Sequence, residues 1–90
     1  MANPTDELLQ ERAKTHGSFV AHAQCTQNLK EVLRSQANWD SLTAQQREAL
    51  EMICHKMGRI LAGDSSHADH WDDGAGYFRL GSMNGEANAA

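Results

Sequence analysis

The stretch from Thr43 to Gly63 limits this chain most. Thr43-Ala44-Gln45-Gln46 has the form of a capping box, in which a threonine hydroxyl and a glutamine side chain satisfy each other's backbone amides at a helix start. Leu50, Ile53, Met57, Ile60 and Leu61 then recur at three- and four-residue steps, and Gly63 supplies the stop. This pattern predicts a helix over 43–62 with one apolar stripe. Such a stripe has to be covered by other elements.

The flanking segments carry the same period. Asn3-Pro4-Thr5-Asp6-Glu7 opens a short first helix, with Thr5 as the expected N-cap and two acids in the dipole-favoured first turn. It ends at His16-Gly17. Ser18 caps a longer helix to about Gln36, on which Phe19, Ala23, Thr26, Leu29 or Lys30, and Leu33 recur, with Cys25 and Val32 widening the stripe. Asn38-Trp39-Asp40 breaks that pattern, and Trp39 is expected to fold back as a plug on the core. Ser66-His67-Ala68-Asp69 reads as a second capping box that starts a helix over 66–80. There Trp71, Gly74, Ala75 and Phe78 share one face, and Asp69, Asp72, Asp73 and Gly76 the other. Gly74 and Gly76 each cost about 1 kcal/mol relative to Ala inside a helix. That cost suits a close approach of backbones.

No alternation of period two marks a strand, and Pro4 is the only proline. The expected fold is all-α: a small helical bundle built on a hairpin of 43–62 and 66–80, with a long preceding helix. Residues 1–80 form one domain, and 81–90, small and polar, form a disordered tail. Ninety residues hold one modest core, so pairing with a second copy is expected. No apolar run approaches the roughly 20 residues needed to cross a bilayer, and no secretory signal precedes Cys25 and Cys54. A cytoplasmic protein with reduced thiols follows.

Charge is unevenly spread. The chain carries 12 acids and 8 Lys plus Arg, and four of the acids (Asp64, Asp69, Asp72 and Asp73) fall in one ten-residue window without a cation. The remaining eight acids balance the eight bases. DNA binding is disfavoured, because phosphate contacts need clustered Lys or Arg. Asp69 with Asp72 or Asp73 lies one helical turn apart and suits a hard cation such as Mg²⁺ or Mn²⁺. His67 and His70 offer a second, less complete pair for Zn²⁺. Lys56 and Arg59 precede this acidic turn, where they either pair with its carboxylates or grip a phosphate. On the helical wheel Glu48, Glu51, His55 and Arg59 fall opposite the apolar stripe, on an expected solvated face.

Glu11-Arg12, His16-Gly17, Lys56-x-x-Arg59-Ile60 and Asp69-x-x-Asp72-x-Gly74-x-Gly76-Tyr77 together resemble a small phage- and prophage-encoded helical domain of unknown function. That domain is in turn distantly similar to the all-α nucleotide pyrophosphatases of the MazG and dUTPase-like group. The resemblance implies Glu48-x-x-Glu51 and Asp69-x-x-Asp72 as ligands of Mg²⁺, with Lys56 or Arg59 on phosphate and Trp71, Gly76 and Tyr77 as structural positions. It departs from the pattern at His16, where an aromatic is usual, and in the short Asp of the second acid pair. The leading expectation is a homodimeric phage accessory protein that binds a host protein or a nucleotide. The rival is a Mg²⁺-dependent nucleoside triphosphate pyrophosphohydrolase. That rival needs Glu48 and Glu51 turned toward Asp69 and Asp72.

Overall fold

The computed structural model describes residues 3–83. Within them run α1 (Pro4–His16), α2 (Phe19–Arg34), a single 3₁₀ turn (Trp39–Ser41), α3 (Ala44–Ala62) and α4 (Ala68–Ser82). The described residues contain no strand. The chain is an all-α helical bundle, and α3 is its hub: α4 and α2 pack along it, while α1 touches it only lightly.

Local chemistry explains most boundaries. The Thr43 box is complete, with Gln46 N–H donating to Thr43 Oγ1 at 3.1 Å and Thr43 N–H to Gln46 Oε1 at 3.0 Å. Ser18 caps α2 as expected, accepting from Ala21 N–H at 3.1 Å. Three starts and stops differ. Asn3, not Thr5, caps α1, because its Oδ1 reaches Asp6 N–H at 2.8 Å and leaves Pro4 at the first helical position. At α4 the N-cap is His67, without a side-chain cap bond. Asp64 instead closes the preceding turn by accepting from Ser66 N–H at 2.8 Å. The expected tail begins later than 81, since α4 runs through Ser82; residues 84–90 lie outside the described part.

Trp39 is half-buried, though its main contact is polar. The Arg47 guanidinium lies 5.7 Å from the ring centre, and its nitrogens donate to the carbonyls of Trp39 and Asp40. Arg47 thereby ties the loop after α2 to the first turn of α3.

The core is small. Ala49, Ile53 and Cys54 are the buried apolar residues, all on α3. The rest of the predicted α3 stripe is only partly covered: Leu50, Met57 and Ile60 are intermediate, and Leu61 is 70% exposed. The reason lies in α4, whose aromatic face flanks the stripe rather than capping it. Trp71 and Phe78 remain 58% and 60% exposed.

Close backbone approach occurs, but at other glycines than expected. A methyl group on Gly58 would collide with Thr26 and His22 of α2. One on Gly63 would strike the end of α1, and Gly17, with φ of 75°, packs against the Ala62 carbonyl. Gly74 and Gly76 face open space, so their cost in helix propensity is not repaid by helix packing.

Candidate functional site

An apolar cleft runs between α3 and α4. Ile53, Met57 and Ile60 form its floor, and Trp71, Gly74, Ala75 and Phe78 form its α4 wall, enclosing about 370 Å³. Toward the other end Leu42, Ala49, Leu50, Tyr77 and Gly81 continue the same furrow. Gly74 widens the wall because it places no side chain there. The Trp71 indole N–H donates to Ser65 O at 2.8 Å, which fixes the ring at the rim of the cleft. Among the three positions with expected structural roles, Trp71 and Tyr77 line this furrow and Gly76 is exposed.

The carboxylates are distributed rather than gathered. Asp73 Oδ2 lies 3.0 Å from Lys56 Nζ, and the lysine is buried beside the cleft. Of the two roles expected for Lys56, an ion pair or a phosphate grip, this contact is of the first kind. Among the described residues Asp69 lies 3.6 Å from His67, and Asp72 is exposed. Glu48 is exposed on α3. Glu51 is not on a solvated face: it receives Arg34 at 3.2 Å and Lys30 at 3.9 Å from α2. Glu51 and Lys56 sit about 140° apart around α3, so the Glu51 and Asp73 ion pairs occupy different sides of that helix. Among the described residues no three His, Cys, Asp or Glu side chains converge to hold a metal ion. The donor set of one chain therefore does not fit the Mg²⁺ or Mn²⁺ centre that the resemblance implies. Nor do His67 and His70 gain the further ligands a zinc shell needs.

The polar seam between α2 and α3 went unseen in the sequence. His55, expected in water, has Lys30 Nζ donating to its Nε2 at 3.1 Å. An ammonium can only donate, so this nitrogen carries no proton and the neutral ring holds its hydrogen on Nδ1. Burial and then the Lys30 charge push the His55 pKa below its ordinary value. His22 Nε2 donates to the His55 carbonyl at 3.2 Å. Among the described residues Thr26 Oγ1 is buried without a hydrogen-bond partner, close against Gly58 of α3. The signal available in sequence was Lys30 and Arg34, one turn apart and complementary to Glu51.

A second histidine group joins α1 to α4. The His70 ring lies 5.2 Å from His16 and 4.7 Å from His67. Thr15 O accepts from Asp64 N–H at 2.7 Å and, more weakly, from His70 Nε2 at 3.4 Å. Burial first, then Arg59, His70, His67 and Arg12, pushes the His16 pKa down. Cys25 and Cys54 are both free thiols, and burial raises the pKa of Cys54.

Comparison with protein-family models, with curated proteins and with solved structures finds no match. The candidate site therefore rests on its own geometry. No helix among the described residues is long and apolar enough to cross a membrane.

Proposed function

We propose that this chain is a non-catalytic helical binding module that works as a homodimer, joined through the α3–α4 cleft. The observation that carries this reading is the mismatch between core and surface. Among the described residues three apolar side chains are buried, while Leu61, Trp71, Phe78 and Leu80 stay exposed on the two helices that form the hairpin. Exposed apolar side chains beside an apolar furrow give a self-complementary surface. A two-fold axis lets the Phe78 and Trp71 of each copy enter the furrow of the other. Large aromatics are suited to anchor such a contact. Lys56 and Asp73, already paired at the edge, supply a polar rim.

Binding is also the mode of action implied by the resemblance to a phage-type accessory domain, with a host protein or nucleotide as the further partner. The pyrophosphohydrolase reading has less behind it, because Glu51 is held by Lys30 and Arg34 of α2. Sedimentation of the wild type and of Phe78→Glu tests the proposal. The wild type is expected to sediment as a dimer at micromolar concentration and the variant as a folded monomer. A wild type that stays monomeric throughout that range would overturn it.

A further inference from the structure

A different cleft, between α1, α2 and the end of α3, is cationic in an otherwise acidic molecule. It encloses about 420 Å³ and is lined by Leu9, Arg12, Ala13 and His16 of α1, Phe19 and His22 of α2, and Arg59 of α3. Leu9, Arg12, Ala13 and His16 follow each other at helical three- and four-residue steps, so one face of α1 looks into the space. No carboxylate lines it.

The arginines distinguish this cleft from the rest of the surface. Lys14, Lys30, Arg34 and Lys56 all meet carboxylates, and Arg47 donates to two carbonyls. Among the described residues the guanidinium groups of Arg12, Arg59 and Arg79 have no hydrogen-bond or ion-pair partner, and of these Arg12 and Arg59 line this one cleft. They are nevertheless close enough to His16 for both charges to push its pKa down. His16 also faces His67 and His70 of α4, and His22 faces His55 of α3. Two unpaired guanidinium groups lining one cleft leave their donors free for whatever occupies it. A phosphate answers both, since its oxygens accept paired N–H bonds in the fork geometry of arginine. Leu9 and the exposed Phe19 ring add an apolar wall that a bare inorganic ion leaves uncovered.

We propose that this cleft binds a small organic phosphate, with the phosphoryl group held between Arg12 and Arg59 and a flat apolar portion laid against Phe19 and Leu9. The inference is independent of the dimer, because its residues lie outside the α3–α4 furrow.

Calorimetric titration with phenyl phosphate, inorganic phosphate and phenol tests it, with the ring signals of His16 and His22 followed by NMR. Phenyl phosphate is expected to bind more tightly than inorganic phosphate, phenol is expected not to bind, and both histidine signals should move. Arg12→Gln and Arg59→Gln should each weaken phenyl phosphate binding about tenfold. Arg79→Gln, which removes a cation outside the cleft, should leave it unchanged. Circular dichroism establishes that each variant is folded. Binding that survives in the folded Arg12→Gln/Arg59→Gln double variant would overturn the proposal. So would equal loss in Arg79→Gln, equal affinity for phosphate and phenyl phosphate, or no binding of either.

Discussion

The two long faces of α3 hold the molecule together by different means. Toward α4 the contact is mainly apolar: Ala49 and Ile53 line one furrow with Tyr77 and Phe78, and the polar additions are the Lys56–Asp73 ion pair and the Gln45 amide, which donates to the Leu80 and Met83 carbonyls. Toward α2 it is polar: Glu51 with Lys30 and Arg34, His55 with Lys30, and His22 with the His55 carbonyl. The first face is strong in proportion to the area it covers, and it has area left uncovered. The second is specific in register but exposed to pH and salt. The proposed contact between copies uses the first, and the pH- and salt-dependent contacts lie on the second.

The sharpest way to break the apolar side is Ile53→Ala. Ile53 is 5% exposed, and removing its branched side chain from a core of this size should cost about 3 kcal/mol in chemical denaturation, with little dependence on salt. A loss below about 1 kcal/mol would mean that the α3–α4 contact is not the main source of stability.

The polar side should respond to acid. His55 in this seam and His16, which lies between α1 and α4, have pKa values below the ordinary 6.5, so the unfolded chain takes up their protons before the folded one does. Their contribution is complete above about pH 6.5 and is lost as the pH falls below it. The melting temperature is therefore expected to drop between pH 7.5 and 5.5. His55→Gln, which keeps a neutral acceptor for Lys30, should reduce that drop. A melting temperature flat across this window would contradict the account of the seam.

Smaller effects separate the seam's components. Thr26→Val removes the buried hydroxyl that has no partner and should stabilise the fold by about 1 kcal/mol in thermal melting. Glu51→Gln should cost about 0.5–1 kcal/mol, and the cost should shrink in high salt because its partners are partly exposed. A salt-independent loss would assign Glu51 a packing role instead.

Much of this architecture was legible in the residues. The Thr43 box, the Ser18 cap and the Gly17 and Gly63 stops each encode a local hydrogen-bond problem with one common solution, and the apolar period did the rest. What escaped depended on neighbours distant in sequence. A helical wheel shows that Glu51 and His55 oppose the apolar stripe, yet not that α2 arrives on that side carrying Lys30. It likewise marks Leu61 as apolar without showing that α4 leaves it uncovered. The acidic window misled for a related reason: Asp64 serves the turn, Asp73 serves Lys56, and Asp72 points to water. Charge density in a sequence does not specify where side chains converge. Arg12 and Arg59, 47 positions apart, came together only through the packing of α1 near the end of α3.

The α3–α4 cleft as a contact between copies is tested most directly by isotope-filtered NMR on a mixture of labelled and unlabelled protein. Contacts from Trp71 and Phe78 of one copy to Met57 and Ile60 of the other are expected. Absence of any such contact, together with α3 and α4 amide signals that do not change on dilution, would contradict it.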